Sequence, residues 1–139
     1  GGIGDGRGIA ASLMLGASAV QLGTAFLACD EANVQSAHRR ALESITDEST
    51  VVTKSITGRP ARFIKNKLVN QLSKEDLQPL PFPTQSIVTS QIQETGDPNY
   101  MSFYAGQSAA LNRNLSAKEL VKKLCDEVEQ ALRKFGQPN

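Results

Sequence analysis

The amino-acid sequence predicts an α/β fold, because short elements of two kinds alternate along its first third. A glycine-rich loop (residues 1–8) is followed by a helical pattern, then by a short apolar run (residues 19–27), and then by a second helical pattern. This order of loop, helix, strand and helix is typical of the end of an α/β repeat. The 139 residues allow one modest domain, and 40% hydrophobic against 21% charged residues indicates a globular chain.

The first helix is expected between the glycine-rich loop and Gly16, because glycine commonly follows a helix end. Its apolar residues recur at helical spacing: Ile9, Ala10, Leu13 and Met14. The apolar run that follows has the length and composition of a buried parallel strand ending near Gly23. Asp30 is then expected to cap the next helix with its carboxylate. The apolar face of that helix comprises Val34, Ala37, Ala41, Leu42 and Ile45.

The middle of the chain is less regular. The β-branched residues at 50–57 predict a strand, and the glycine and proline of residues 58–60 end it. Residues 64–72 show a short helical periodicity. The prolines within residues 78–83 exclude regular helix and central strand, because they remove backbone donors and fix the backbone. Residues 97–99 predict a further turn.

A long amphipathic helix is predicted over residues 116–135. Ser116 and Glu119 have the spacing of a capping box, and Gly136 with Pro138 ends the pattern. Its apolar face comprises Leu120, Leu124, Val128, Ala131, Leu132 and Phe135. We expect this helix to serve packing.

Charge and composition exclude several classes of function. A formal net charge of +1 argues against a broad surface for nucleic acid or an anionic membrane. No apolar run approaches the roughly 20 residues of a membrane span. One histidine and two distant cysteines (Cys29 and Cys125) provide no ligand set for a metal, and no catalytic triad can be assembled. The two cysteines predict reduced thiols and, with no signal peptide, a cytoplasmic protein.

Two further features have an ordinary explanation that we favour. His38 precedes two arginines in a predicted helix and has no partner motif, so we expect it to face solvent and not to act as a catalytic base. Residues 54–74 contain six basic residues and no acidic one. A patch for an acidic partner is one interpretation, but a solvated helix face with arginines that tie down a loop fits the balanced charge better.

Two glycine-containing loops predict a phosphate site. The glycine-rich loop precedes a helix, whose N–H groups and dipole favour an anion, although a tight turn into the helix explains it equally well. It lacks the Gly-Lys-Ser/Thr of a P-loop, and its match to a dinucleotide pattern is loose. The segment of residues 21–24 lies at the carboxy end of the predicted strand. Two such loops after successive strands form the standard phosphate site of a (β/α)8 barrel.

Four motifs in the same order resemble those of the nitronate monooxygenases, formerly called 2-nitropropane dioxygenases. They lie at residues 1–8, 16–27, 57–62 and 104–107. The resemblance implies the carboxy-terminal part of an FMN-binding (β/α)8 barrel.

The resemblance divides the chain in two. Residues 1–46 would be the end of the barrel with its phosphate-binding loops, and residues 47–139 an extension that packs on the barrel and ends in a helix.

The resemblance also implies a cofactor and a reaction. It assigns FMN binding to Gly2, Gln21, Leu22, Gly23 and Thr24, and it implies oxidation of alkyl nitronates by molecular oxygen through a reduced flavin. The catalytic histidine of the family would precede the first residue here, so no catalytic residue is expected in this chain. We therefore expect a carboxy-terminal piece of a longer enzyme, poorly stable and inactive by itself.

Substrate contacts are expected near the last motif. Tyr104, Gly106 and Gln107 combine an aromatic ring, a glycine that permits a tight turn and an amide that can orient a small nitro group. The neighbouring aromatic residues, Tyr100 and Phe103, fit a substrate pocket and a core equally well. Two other functions stay open: a flavin-dependent enoyl-acyl-carrier-protein reductase, and a non-catalytic module that binds phosphate or nucleotide.

Overall fold

Six α-helices and one two-stranded antiparallel sheet form the part of the chain that the structure, a computed structural model, describes: residues 1–74 and 78–136. The helices are α1 (Gly6–Met14), α2 (Thr24–Leu27), α3 (Ser36–Glu43), α4 (Lys67–Lys74), α5 (Thr84–Gln93) and α6 (Ala117–Gly136). The strands are β1 (Thr50–Thr53) and β2 (Ala61–Ile64), and two 3₁₀ helices span Pro98–Tyr100 and Gln107–Leu111. This confirms the predicted α/β class.

Helix α1 forms where the sequence predicts it. Asp5 caps its first turn by accepting a hydrogen bond from the N–H of Gly8, and Gly16 follows its end with a φ of +98°. The helix packs on α6, and the contact depends on Gly6. A Cβ atom there would lie 2.8 Å from the carbonyl oxygen of Leu124, so only glycine allows this approach of the two backbones.

The predicted strand over residues 19–27 is wrong. Its last four residues are the helix α2, and no strand includes residues 17–23. A parallel strand is stabilised by hydrogen bonds to a neighbouring strand, and among the described residues β1 and β2 pair with each other and β2 also with Tyr104, but not with this run. The apolar character instead serves helix burial, because Ala25 and Cys29 lie in a core cluster with Leu120 and Leu124 of α6.

The prediction that Asp30 caps the next helix is wrong. Helix α3 begins at Ser36, and its N-cap residue is Gln35, which makes no capping hydrogen bond through its side chain. Two backbone turns occupy the intervening residues, with the N–H of Ala32 bonded to Cys29 and the N–H of Val34 bonded to Ala32.

The predicted strand over residues 50–57 is shorter in the structure, and a second strand pairs with it. β1 stops at Thr53, because the hydroxyl of Thr53 accepts the N–H of Ser55 and the chain then turns. The N–H of Gly58 closes that turn on the carbonyl of Lys54. The sequence patterns did not indicate β2, which pairs with β1 in antiparallel register from Thr50↔Ile64 to Thr53↔Ala61.

The remaining middle elements pack around a second core cluster, formed by Ile56, Phe63, Leu68 and Val69. The predicted helix over residues 64–72 exists but begins at Lys67. The described part of the proline-rich segment is irregular, and residues 97–99 turn, both as predicted. Helix α5 was not predicted. It is held by buried Thr89, whose hydroxyl donates to the carbonyl of Ile56 at 2.7 Å.

Helix α6 confirms the predicted capping box. The Glu119 carboxylate accepts the N–H of Ser116 at 3.1 Å, and the Ser116 hydroxyl accepts the N–H of Glu119 at 3.3 Å. Leu120 and Leu124 are buried, whereas Leu132 is 42% exposed. The Phe135 side chain and Pro138, which belong to the same prediction, lie outside the described residues.

The contacts divide the chain into two units. The first combines Gly1–Val34 with the stretch from Ser108 onward, and therefore holds α1, α2 and α6. The second is Gln35–Gln107, with the sheet, α3, α4 and α5.

Candidate functional site

The start of α1 is already occupied by carboxylates of this chain. Asp5 accepts the N–H of Gly8 at 2.9 Å, and Glu127 of α6 accepts the N–H of Gly6 at 2.9 Å. Arg7 and Arg113 neutralise the two acids, with N···O distances of 2.7 Å to Asp5 and 2.9 Å to Glu127.

Burial raises the pKa of the Asp5 carboxyl. The hydrogen bond from Gly8 and the Arg7 guanidinium lower this pKa by more than burial raises it, so the net pKa lies below its ordinary value of 3.8. Asp5 is therefore an anion at neutral pH. Of the two interpretations of the glycine-rich loop, this arrangement favours the tight turn into a helix over the anion site, because carboxylates already accept the N–H groups of Gly6 and Gly8 and would repel a phosphate.

Gly2 lies outside that network. It is exposed, has a φ of +82°, and an added Cβ would meet no atom within 4 Å. A positive φ favours glycine, and the absence of a side chain leaves its backbone accessible to a ligand.

The segment of residues 21–24 leads into α2, whose start, unlike that of α1, has no side-chain cap. Leu22 packs against the core cluster of Ala25 and Cys29, whereas Gln21 and Gly23 are exposed. Gly23 is the N-cap residue of α2, and no side chain makes a capping hydrogen bond there. An added Cβ at Gly23 would meet no atom within 4 Å. Thr24 is the half-buried first residue of the helix.

The Tyr104–Gln107 motif begins as an addition to the sheet. The N–H of Ile64 donates to the carbonyl of Phe103 at 2.8 Å, and the N–H of Ala105 donates to the carbonyl of Arg62 at 3.3 Å. Phe103 is 5% exposed and Tyr104 is 48% exposed. The aromatic cluster is therefore divided: Phe103 belongs to the core, and Tyr104 presents its side chain at the surface.

The prediction that His38 faces solvent is wrong. Its imidazole stacks on Phe103 with ring centroids 4.9 Å apart, and its Nε2 lies 2.9 Å from the carbonyl oxygen of Tyr104. Burial lowers the pKa of His38, and this outweighs the hydrogen bond to Tyr104, which raises it. The imidazole is therefore neutral at pH 7 and donates through Nε2. The prediction failed because His38 and Tyr104 are 66 positions apart in the chain.

The arginines of residues 57–62 hold loops in place, which confirms the favoured interpretation of the basic run for these two residues. Arg62 donates to the Thr50 hydroxyl at 3.1 Å and to the Gln107 amide oxygen at 3.5 Å. The Arg59 guanidinium lies 4.2 Å from the centroid of the Phe82 ring. Both cations are engaged within the second unit.

The motif of residues 57–62 contains a glycine, Gly58, at a position where no larger residue fits. Its φ is +84°, and an added Cβ would lie 2.5 Å from the carbonyl oxygen of Leu80 and 2.6 Å from the N–H nitrogen of Phe82. The close approach of the proline-rich segment therefore requires glycine at this position.

The candidate residues fall in the two units separately. Gly2, Gln21, Leu22, Gly23 and Thr24 belong to the first unit, and Tyr104, Gly106 and Gln107 belong to the second. Among the residues described, no group of three His, Cys, Asp or Glu side chains is placed to hold a metal ion. No helix within 1–74 or 78–136 is long and apolar enough to cross a membrane.

Comparison with known proteins decides the family. The sequence model of the nitronate monooxygenases matches residues 1–127, nearly the whole chain. The chain belongs to the nitronate monooxygenase family. Among curated nitronate monooxygenases, the protein of Pseudomonas aeruginosa is 41% identical over 92% of this chain, and that of Paraburkholderia phytofirmans is 39% identical over 99%. The predicted family is thus confirmed.

Solved structures agree with this membership. The nitroalkane oxidase of Streptomyces ansochromogenes aligns over 98% of this nitronate monooxygenase family chain with a TM-score of 0.88 and 38% identity. FabK from Thermotoga maritima aligns over 97% with a TM-score of 0.81 and 30% identity. The chain spans about two fifths of the length of these proteins: 38% and 39% of the two curated relatives, and 40% and 44% of the two structures.

Proposed function

We propose that this chain is the carboxy-terminal part of an FMN-dependent oxidoreductase that oxidises alkyl nitronates with molecular oxygen. Family membership supports this, as does the likeness to a nitroalkane oxidase structure over nearly the whole chain. Residues 1–46 contribute the end of a (β/α)8 barrel, and residues 47–139 form the extension that follows it. The activity belongs to the longer protein, since the remaining part of the barrel must place the flavin against the reacting groups.

The contrast between two helix starts carries the proposal. Asp5 and Glu127 accept the N–H groups of Gly8 and Gly6 at the start of α1, so these two amides are not available to a phosphate. At the start of α2 the N-cap residue is Gly23, no side chain makes a capping hydrogen bond, and a Cβ added to Gly23 would meet no atom within 4 Å. Backbone N–H groups at such a start favour an anion by direct hydrogen bonding; at four residues, α2 is too short for a helix dipole to contribute.

The residues at this second helix start fit the phosphate of FMN. The backbone of Gly23 and the hydroxyl of Thr24 would donate hydrogen bonds to it, and the exposed amide of Gln21 adds a polar group. Leu22 anchors the segment to the core. Gly2 allows the backbone of the preceding loop to approach the same ligand. Bound FMN supplies the two-electron redox chemistry.

We assign substrate contact to the motif in the second unit. Tyr104 and Gln107 are exposed, and Arg62 holds the Gln107 amide oxygen. Because this bond uses the oxygen of the Gln107 amide, the amide nitrogen would donate to a nitro oxygen. Gly106 lies between the two side chains in the chain, and we assign it to the same contact.

The full-length protein that contains this chain provides the test. We expect it to purify with one FMN per chain and to consume oxygen on addition of the nitronate anion of 2-nitropropane. The 139-residue chain alone is expected to retain no flavin and no activity. Failure of the full-length protein to bind FMN after reconstitution would contradict the flavin assignment. Retention of a phosphate ligand without flavin would favour a non-catalytic binding module, and reduction of an enoyl thioester would favour the reductase.

A further inference from the structure

His38 is a histidine that the proposed function leaves unused, yet its imidazole makes two specific contacts. It lies on α3, stacks on Phe103 and approaches the carbonyl oxygen of Tyr104 with Nε2 at 2.9 Å. A carbonyl oxygen only accepts hydrogen bonds, so the Nε2-protonated imidazole is the donor. The stacked rings are 12° from parallel, and Phe103 is buried, so the imidazole is held with Nε2 directed at Tyr104.

The contact with His38 completes a clamp on one peptide unit. The peptide between Tyr104 and Ala105 presents its carbonyl to one side and its N–H to the other. The N–H donates to the Arg62 carbonyl at 3.3 Å, and the carbonyl accepts from His38 at 2.9 Å. Because both groups are bonded, the plane of this peptide is fixed from two directions.

The clamped peptide lies in the chain between Tyr104, whose ring is exposed, and the 3₁₀ helix that begins at Gln107. A rotation of this plane would move the Cα–Cβ bond of Tyr104 and redirect the backbone that leads to Gln107. The Tyr104 ring rests on Phe63 with centroids 4.5 Å apart, a contact that depends on the same backbone orientation.

We propose that His38 is a positioning residue for substrate recognition, holding the Tyr104–Ala105 peptide so that Tyr104 and Gln107 present their side chains to the nitronate. This role rests on the proposed function of the Tyr104–Gln107 motif. His38 acts as a hydrogen-bond donor to the backbone and exchanges no proton with the substrate.

Two substitutions at this position separate the hydrogen bond from the stacking. His38→Phe keeps a flat ring against Phe103 and removes the donor, whereas His38→Gln restores an N–H donor at a similar distance from the backbone. Glu43→Ala, an exposed change on the same helix, is the matched control. All three are made in the full-length protein loaded with FMN, and kinetics are measured with the nitronate anion of 2-nitropropane.

We expect His38→Phe to lower kcat/KM by about 3- to 10-fold, the range that one neutral hydrogen bond supplies. The change should fall mainly on KM, with FMN content unchanged. His38→Gln should recover most of the loss, and Glu43→Ala should match the wild type. Amide hydrogen exchange at Ala105 should be faster in His38→Phe and near normal in His38→Gln.

Three results would overturn the role. Normal kinetics in a folded His38→Phe variant would show that the clamp does not matter to substrate, and equal losses in both variants would indicate ring packing alone. Unchanged exchange at Ala105 would show that the peptide is not clamped. If the wild-type protein did not oxidise the nitronate, the proposed function would fail, and the exchange measurement would still decide whether His38 fixes this peptide.

Discussion

Replacement of Tyr104 by alanine distinguishes a substrate contact from a core residue. The side chain is 48% exposed, so about half of its area contributes to folding. A fully buried aromatic covers roughly 200 Å², and half of this at about 25 cal/mol per Å² corresponds to about 2.5 kcal/mol. We expect Tyr104→Ala to lower the free energy of unfolding by about 2–3 kcal/mol. Truncation of a fully buried aromatic side chain costs more, roughly 3–5 kcal/mol.

The assay combines urea denaturation, flavin absorbance and steady-state kinetics on the full-length protein. The Tyr104→Ala variant should keep its FMN and lose about tenfold or more in kcat/KM for nitronates, since a pocket contact stabilises the transition state without holding the cofactor. Tyr104→Phe is the matched control, because it retains the ring that rests on Phe63. A loss of stability near 5 kcal/mol with normal kinetics in the surviving enzyme would refute the reasoning.

Three further predictions concern the packing around Gly58 and the electrostatics of His38 and Asp5. Gly58→Ala should destabilise the protein by at least about 2 kcal/mol in urea denaturation, because a positive φ costs about 1–2 kcal/mol and the new Cβ meets the Leu80 carbonyl at 2.5 Å. Gly96→Ala is its control: Gly96 has a φ of +71°, and a Cβ there would meet no atom within 4 Å, so this variant should show only the cost of the positive φ. The pKa of His38 is lowered, so the unfolded chain binds its proton more readily, and stability should fall as pH drops from 6.5 towards the folded value. His38→Phe should remove that part of the pH dependence, and equal urea midpoints for the wild type at pH 5 and pH 7.5 would contradict it. Asp5→Asn keeps a side-chain oxygen that can accept the N–H of Gly8 and removes the charge beside Arg7, so it should cost less at pH 7 than the roughly 1 kcal/mol of a lost cap. Because the pKa of Asp5 lies below 3.8 in the fold, urea midpoints of variant and wild type should converge as pH falls through that folded value.

Local chemistry made some elements predictable. The reciprocal hydrogen bonds of Ser116 and Glu119 are set by residues three positions apart, so the start of α6 follows from sequence alone. The same holds for α1, which begins after Asp5 and ends before Gly16. In both cases the decisive contacts lie within one or two helical turns.

Elements that depend on distant partners were not predictable. The apolar run before Asp30 has the composition of either a strand or a buried helix, and only the packing of Ala25 and Cys29 against α6 distinguishes them. β2 was not indicated because it exists through its register with β1. The pairing of His38 with Tyr104 spans 66 positions, and no local pattern indicates it.

The candidate site shows the same division. Asp5 stands directly before a helix, so its capping role could have been recognised from sequence. The Glu127 carboxylate reaches the N–H of Gly6 from 121 positions away, and sequence could not show that the amides at this helix start are taken. The two loops were therefore predicted as one phosphate site, whereas in the first loop the N–H groups of Gly6 and Gly8 are already bonded to carboxylates of this chain.

The proposed contact of Gly23 and Thr24 with the phosphate of FMN is measured by the affinity of the full-length protein for flavin. Gly23 has a φ of −114° and open space around its Cα, so a side chain is tolerated by the chain's own fold and would obstruct only a bound ligand. In the full-length protein, Thr24→Ala should weaken FMN binding by about 1–3 kcal/mol. Gly23→Val should weaken it more, without loss of folding stability.

Thr84→Ala, also a change at the first residue of a helix, is the matched control for Thr24→Ala and should leave FMN binding at the wild-type level. The dissociation constant of FMN, titrated by flavin fluorescence on the apoprotein, is the measurement. The account predicts an increase of about 5- to 150-fold for Thr24→Ala and a larger one for Gly23→Val. Wild-type affinity in both variants would contradict it.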